Sequence, residues 1–203
     1  MADPDGHIRL FVGVRISVAA AEAIAGAARA LHEPIRDEGL SPAWVPPANY
    51  HITLKFLGWT EFPMIGAIGD ELRPALAGAT AFEIENAGLG AFPTQRRARV
   101  LWAGARDPGG RIADLAARVD ATAERLGFPA EARPFHPHVT MARLRRPGNI
   151  TSLLEDSSEQ EFSKSWIDSV VVFESKMKSK GSEYVERAIF PLEAPGSKGE
   201  RQT

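Results

Sequence analysis

Two short segments of the chain repeat one pattern, and that pattern restricts the backbone around them to an extended strand. Residues 51–54 read HITL and residues 138–141 read HVTM. Polar and apolar residues alternate in both segments, as is typical of a strand with one buried face. His51 and Thr53 therefore share one face, as do His138 and Thr140. The apolar residues between them are expected to anchor the opposite face in a core.

The two segments also have similar surroundings. Gly39 stands 12 residues before His51 and Gly127 stands 11 residues before His138, each at the end of a helical pattern. Ser17 is predicted to cap the first helix. The patterns predict strands at residues 10–16, 43–45, 50–57, 82–87, 99–105, 138–144, 166–175 and 184–192, and helices at residues 18–33, 62–76 and 112–126. Residues 88–93 and 149–162 are predicted connections, the second with a short helical turn.

This arrangement predicts an α+β fold with two pseudo-symmetric lobes. Antiparallel sheets are expected to line a central cleft, with helices outside and one His-x-Thr strand from each lobe facing the cleft. We expect a single bilobal domain over residues 1–194 and a flexible tail over residues 195–203.

The composition excludes several classes of function. Lys and Arg number 24 against 26 Asp and Glu, whereas a protein that holds long nucleic acid by its phosphates alone is usually more basic. Any contact with nucleic acid is therefore expected to be local. The chain has no cysteine, which excludes thiolate zinc sites and cysteine nucleophiles and fits the cytoplasm, where we expect the protein. No apolar stretch approaches about 20 residues, so no membrane span is expected.

The paired histidines are the strongest candidates for chemistry. A single histidine in a strand is more often structural than catalytic. Two copies, each with threonine two residues later, favour a functional site, although the residues alone leave both interpretations open. Threonine is stable in a strand, and its hydroxyl can donate a hydrogen bond to a phosphate oxygen.

Other polar residues are weaker candidates. Strict alternation places Lys55 on the face of His51, where it could assist phosphate binding or simply be solvated. The same alternation places Arg143 opposite His138, unless a bulge reverses it. Arg96, Arg97 and Arg99 form a basic cluster that suits either an RNA backbone or a solvated loop. The H-x-H pair of His136 and His138 lacks a neighbouring carboxylate cluster, so we expect no metal.

Both segments resemble the paired HxTx motifs of the two-histidine (2H) phosphoesterase superfamily. Within it the chain is most similar to the RNA 2′,3′-cyclic phosphodiesterases, also called 2′-5′ RNA ligases. The similarity rests on WVPP (44–47) before HITLKFLG (51–58), on PHVTMAR (137–143), and on shorter matches at residues 9–11 and 174–184. It covers roughly residues 9–192, and its one departure is Met141, where leucine is commoner.

The resemblance implies hydrolysis of RNA 2′,3′-cyclic phosphate ends to 2′-phosphomonoesters, without a cofactor, by a monomer. It implies His51 as proton donor to the leaving oxygen and His138 as proton acceptor from water. Thr53, Thr140, Lys55 and Arg143 are then expected to bind the substrate. Two alternatives remain at this stage: a 2H phosphodiesterase acting on a small nucleotide or a 2′-5′ oligonucleotide, and a nucleotide-binding module without catalysis.

Overall fold

The chain forms one antiparallel sheet with helices packed on its outer side. The computed structural model describes residues 6–178 and 181–196. The strands are β1 (His7–Arg15), β2 (Pro42–Trp44), β3 (His51–Glu61), β4 (Phe82–Phe92), β5 (Ala98–Arg106), β6 (His138–Gly148), β7 (Glu161–Ile167), β8 (Ser169–Lys178) and β9 (Gly181–Pro191). The helices are α1 (Val18–Ala30), α2 (His32–Asp37), α3 (Met64–Leu76) and α4 (Arg111–Arg125).

The strand order divides the sheet into two matching halves. It runs β7-β4-β5-β6-β3-β1-β8-β9, and β2 pairs with β6 beside this path. Lobe A consists of β3, β1, β8 and β9, and lobe B consists of β6, β5, β4 and β7. The lobes meet where β3 and β6 pair at Ile52 and Val139. The two His-x-Thr strands therefore lie side by side at the centre, which confirms the expected α+β fold.

Two of the helices cross between the lobes. Helix α1 follows β1 of lobe A but packs against β7 of lobe B, whereas α4 follows β5 of lobe B and packs against β3 of lobe A. Residues from all four helices and both lobes share one hydrophobic core, including Ile24, Ile35, Leu72, Val119 and Ile84. Burying each lobe's apolar face thus requires a helix that the other lobe supplies.

Several predicted boundaries hold for clear physical reasons. The Ser17 hydroxyl accepts a hydrogen bond from the Ala20 amide at 3.1 Å and so caps α1. Gly127 ends the α4 region with φ +89°. The predicted helix over residues 18–33 is instead two helices that divide at Leu31. Pro34 lacks the N–H that a continuous helix would direct at Ala30.

Three strand predictions need correction. Strand β4 continues through residues 88–92, which were predicted to be a connection. The predicted strand over residues 166–175 divides at Asp168 between β7 and β8. The part of β7 before Trp166 was not predicted because its inward position Ser165 is polar and gives no hydrophobic signal. Ser165 is fully buried and bonds to Asn86 at 2.7 Å. Most of the predicted tail, residues 197–203, lies outside the described residues.

No helix in the described ranges is long and apolar enough to cross a membrane.

Candidate active site

A bulge in β3 determines which of its side chains face the cleft. Val12 pairs with Lys55, but Gly13 pairs with Thr53, so Leu54 is an extra residue in this strand. His51 and Thr53 lie on the cleft face, and Leu54 and Lys55 are both buried on the opposite face. The alternation is thereby reversed, and Phe56 returns to the cleft face.

Strand β6 contains a bulge at the matching position. Leu101 pairs with Ala142 and Trp102 with Thr140, so Met141 is the extra residue. Met141 and Ala142 are both fully buried. Arg143 is consequently exposed on the face of His138 and Thr140, the alternative that a bulge would produce. The position five residues after the histidine is therefore Phe56 in lobe A and Arg143 in lobe B.

The pairing of β3 with β6 brings the four motif side chains together. Because the strands are antiparallel and Ile52 pairs with Val139, the register sets His51 opposite Thr140 and Thr53 opposite His138. Two imidazoles and two hydroxyls thus surround one position on the cleft face.

Backbone carbonyls orient both imidazoles in the same way. His51 Nδ1 lies 2.7 Å from the Asn49 carbonyl oxygen, and His138 Nδ1 lies 2.7 Å from the His136 carbonyl oxygen. A carbonyl oxygen only accepts, so each Nδ1 carries a hydrogen and each Nε2 is left for chemistry. His51 Nε2 lies 3.0 Å from Thr53 Oγ1. The neutral ring accepts this hydroxyl's hydrogen bond.

Aromatic side chains enclose His51. The ring of Phe11 lies 4.7 Å from the His51 ring, Tyr184 lies 5.1 Å away in an edge-on contact, and Phe173 lies 5.9 Å away. These residues come from β1, β9 and β8. They lie on the cleft face, separate from the main core.

A second aromatic group adjoins His138. Phe92 lies 4.9 Å from the His138 ring and Trp102 lies 6.4 Å from it. The His136 ring packs 4.7 Å from Trp102. A Cβ atom at Gly90 of β4 would stand 2.2 Å from the Trp102 ring. The indole of Trp102, a residue of β5, can therefore lie against β4 only because residue 90 is glycine. The nonpolar surroundings of the two histidines are therefore similar but built from different residues.

Both histidines have depressed basicity. Burial lowers the pKa of His51 to about 4, against the opposing effect of the Asn49 carbonyl, and the charges of His138 and Arg143 lower it further. Burial also lowers the pKa of His138, and the charges of His136 and Arg143 act in the same direction. Both rings are accordingly neutral in the ligand-free protein near pH 7.

The prediction that Lys55 shares the face of His51 is wrong. The Leu54 bulge turns Lys55 to the helix side, where it is 6% exposed. Its ammonium group forms an ion pair with Asp120 of α4 and donates a 2.6 Å hydrogen bond to the Pro129 carbonyl. Lys55 thus joins β3 to the segment that leads to His138, and it has no access to a substrate in the cleft.

An open cavity of about 490 Å³ lies beside His51. Arg15 and Glu186 form an ion pair at its wall, and Tyr184 and Asn49 also line it. The Asn49 side-chain amide donates a 2.6 Å hydrogen bond to the carbonyl of Ser182 in β9. One residue therefore orients His51 through its carbonyl and holds β9 through its side chain.

Sequence patterns gave little warning of these neighbours. Asn49 and His136 contact the His51 and His138 rings through backbone carbonyls, which carry no side-chain signature. Phe11, Phe173 and Trp102 have the composition of core residues, and only the strand order brings them to the cleft. Gly13 was a signal of close packing that the sequence did offer. A Cβ atom there would stand 2.8 Å from the Ile52 carbonyl oxygen, so β1 and β3 approach closely only because this residue is glycine.

The remaining candidates lie away from the paired histidines. Arg96 and Arg97 are exposed in a 3-10 turn, Gln95–Arg97, and Arg99 is exposed at the start of β5. Across residues 6–178 and 181–196, no group of three or more His, Asp or Glu side chains is arranged to hold a metal ion.

A sheet that presents two facing His-x-Thr strands to a central cleft is the arrangement of a two-histidine phosphoesterase. The family model of the 2′-5′ RNA ligase superfamily matches residues 17–176. The chain therefore belongs to the 2′-5′ RNA ligase superfamily.

Individual relatives agree with this assignment. The chain is 31% identical to an RNA 2′,3′-cyclic phosphodiesterase of Aeropyrum pernix over 170 residues, 82% of this chain and 94% of that protein. It is 33% identical to the Aquifex aeolicus protein of the same name over 145 residues, 70% and 77% of the two chains.

Solved structures show the same fold. TT0787 of Thermus thermophilus superposes with a TM-score of 0.73 at 27% identity, covering 93% of this chain and 100% of that one. LigT of E. coli, solved with 3′-AMP, superposes with a TM-score of 0.71 at 25% identity, covering 92% and 98%.

Proposed function

We propose that this chain hydrolyses 2′,3′-cyclic phosphate ends of RNA to 2′-phosphomonoesters by acid–base catalysis with His51 and His138. The observation that carries the proposal is the matching orientation of the two imidazoles. Each Nδ1 is held by a carbonyl two residues earlier, so each Nε2 is the ring nitrogen that can exchange a proton with a substrate between β3 and β6. In the free protein the Thr53 hydroxyl is hydrogen-bonded to the Nε2 of His51, and a substrate replaces this contact. The relatives named as RNA 2′,3′-cyclic phosphodiesterases support the same reaction.

The reaction needs one proton acceptor and one proton donor on opposite sides of phosphorus. A neutral histidine takes a proton from water as the water oxygen bonds to phosphorus. The P–O3′ bond breaks, and a protonated histidine gives its proton to O3′. Each such transfer is typically worth roughly 10²–10⁴ in rate. Family resemblance assigns the acceptor role to His138 and the donor role to His51.

Thr53, Thr140 and Arg143 supply the surrounding positive potential. The threonine hydroxyls stand opposite the two histidines and can donate to nonbridging oxygens as charge develops. Arg143 reaches the cleft because of the Met141 bulge, and its charge acts on both histidines. The guanidinium group can bind the phosphate directly.

The cytoplasmic location, the monomeric state and the single-domain organisation expected from the sequence stay predictions.

The proposal is tested by assaying wild-type protein on RNA with a cyclic phosphate end and on 2′,3′-cyclic mononucleotides. His51→Ala and His138→Ala should each abolish most turnover while circular dichroism and melting temperature stay close to wild type. Binding without turnover by the wild type would show a nucleotide-binding module instead. Turnover of mononucleotides alone would show a small-nucleotide enzyme.

A substrate with a bridging 3′-sulfur separates the two roles. Thiolate leaves without protonation, so the proton donor becomes unnecessary while the acceptor is still required. His51→Ala should recover much of its lost activity on this substrate, and His138→Ala should not. The opposite pattern would exchange the roles, and recovery of neither variant would mean that the histidines act by binding phosphate.

The proposed reaction uses no metal ion. Activity should persist after treatment with EDTA, because the residues placed around the phosphate position are imidazoles, hydroxyls and a guanidinium rather than a carboxylate cluster. Loss of activity that a divalent cation restores would contradict the two-histidine mechanism.

A further inference from the structure

The cleft face of lobe A continues well beyond the catalytic pair. A second bulge at Leu57 follows the first, since Phe11 pairs with Phe56 and Leu10 with Gly58. The two bulges bring a row of β3 residues to one face at spacings of two, three and three: His51, Thr53, Phe56 and Trp59. Strand β1 contributes the paired row, which is Arg15, Gly13, Phe11 and Arg9.

The far end of this row is exposed, aromatic and cationic. Phe56 and Trp59 are each 58% exposed, although both stand on a sheet face whose neighbouring aromatic residue Phe11 is buried. Arg9 is the cross-strand partner of Trp59 and is also exposed. Among the described residues, no carboxylate forms an ion pair with Arg9. Its charge lowers the burial-raised pKa of Tyr184, which lies against His51.

We propose that Trp59 and Arg9 form a binding subsite for the nucleotide on the 5′ side of the terminal nucleotide in an RNA substrate. The base stacks on the Trp59 indole, and Arg9 contacts the phosphate that links the two nucleotides. This inference rests on the proposed function, and it adds that the substrate is an oligonucleotide whose chain leaves the cleft along β3.

The chemistry of the two side chains favours this ligand. Single-stranded RNA is bound by aromatic side chains that stack on its bases together with cations that contact its backbone. An exposed indole with a guanidinium beside it on the neighbouring strand provides both contacts. Trp59 lies on the same face as Thr53 with Phe56 between them, and their β1 partners Arg9 and Gly13 are four residues apart, roughly 13 Å along the strand. The subsite therefore continues the face of the catalytic position rather than forming a separate surface.

A second route out of the cleft runs in the opposite direction, along β6 instead of β3, and experiment can distinguish the two routes for the RNA chain. Because β3 and β6 are antiparallel and pair at Ile52 and Val139, β6 runs away from Trp59. Arg145 and Arg146 are exposed toward the end of β6. An RNA chain that left the cleft in this direction would contact these arginines and would not reach Trp59.

The experiment compares hydrolysis of a 2′,3′-cyclic mononucleotide with that of a dinucleotide and a hexanucleotide carrying the same terminal group. We expect the wild type to prefer the dinucleotide in kcat/KM. Trp59→Ala should reduce that preference about tenfold, the order expected for one stacked base. Arg9→Gln should also reduce it and should flatten its dependence on salt.

Matched controls are available elsewhere in the fold. Trp166 is 51% exposed on β7, and Arg125 is an exposed arginine on α4. Trp166→Ala and Arg125→Gln should keep the wild-type preference. A preference unchanged in Trp59→Ala would overturn the proposal, as would a loss seen only in the Arg145→Gln, Arg146→Gln double variant.

A binding measurement separates failure of the subsite from failure of the proposed function. The anisotropy of a fluorescent hexanucleotide with a cyclic phosphate end is followed in the His51→Ala, His138→Ala background, where no turnover is needed. Adding Trp59→Ala should weaken binding about tenfold. Unchanged affinity would overturn the subsite even if the enzyme is active. Weakened affinity would support it even if the wild type hydrolyses none of the three substrates.

Discussion

The two histidines are chemically alike in the free protein, although the proposed reaction requires one to be protonated and the other neutral. Each ring is held by a carbonyl through Nδ1, and the pKa of each is lowered chiefly by burial. A bound phosphate diester carries a negative charge, which stabilises the protonated form of a neighbouring imidazole. The substrate itself therefore helps to charge the residue that acts as acid.

This difference predicts separate pH profiles for kcat/KM and kcat. The profile of kcat/KM reports the free enzyme, where both pKa values are low, and that of kcat reports the complex, where the anion raises them. The optimum of kcat should lie at higher pH than that of kcat/KM. An NMR titration of His51 should likewise move to higher pH when 2′-AMP is added. Superimposable profiles and an unmoved titration would contradict this coupling.

The threonines provide a second prediction for single residues. Thr53→Val and Thr140→Val each remove one hydroxyl donor from the phosphate position while nearly preserving volume. Loss of one such donor is expected to cost at most about 2–4 kcal/mol in kcat/KM, less than loss of either histidine. Steady-state kinetics on a cyclic mononucleotide measures the effect, with melting temperature as the control for folding. Wild-type rates in both variants would remove the threonines from the mechanism.

Individual strands show what the sequence could and could not reveal. Alternation correctly identified the strands that carry His51 and His138 and the face shared by each histidine and its threonine. It was wrong for Lys55 because the residue inserted at Leu54 reverses the alternation as far as the next bulge at Leu57, and a bulge in HITLKF has no distinctive composition. Arg143 faces the cleft because of the corresponding bulge at Met141. The sequence patterns offered this placement only as an alternative. The aromatic neighbours depend on strand order, which local patterns do not encode.

The buried ammonium of Lys55 leads to a prediction about strand β3. Lys55→Met should destabilise the protein by about 1–3 kcal/mol, because the partly exposed Asp120 carboxylate loses its ammonium partner and keeps only the Glu131 amide. The double variant with Asp120→Leu should regain most of this loss. Urea denaturation followed by circular dichroism measures both. If Lys55 instead contacted substrate, KM would rise in Lys55→Met while the free energy of unfolding stayed at its wild-type value.

The whole molecule is held together by helices that each lobe supplies to the other. Helix α1 packs against β7 and α4 against β3, and one core extends through both lobes. Neither lobe can retain its buried face if the other unfolds. This interdependence, rather than the short β3–β6 contact alone, keeps the two histidines in register.

We therefore predict a single cooperative unfolding transition. Single-tryptophan variants that retain Trp59 report on lobe A, and those that retain Trp102 report on lobe B. Within each variant, fluorescence and circular dichroism should give the same urea midpoint. Ile24→Ala in α1 should lower the midpoints seen by both tryptophans, at a cost of about 2–5 kcal/mol. Separate transitions for the two probes would show that the lobes unfold independently.

The order of the strands along the chain also bears on how the protein is made. Lobe B is built from the middle of the sequence, while lobe A combines β1 and β3 with β8 and β9. On the ribosome, which releases the chain from its N-terminus, His51 emerges long before Phe173 and Tyr184, two of the three aromatic rings that enclose it. A nascent chain that ends before β8 already contains both proposed catalytic histidines, but His51 lacks those two neighbours. The enclosure of His51 is thus completed only after β8 and β9 have left the ribosome.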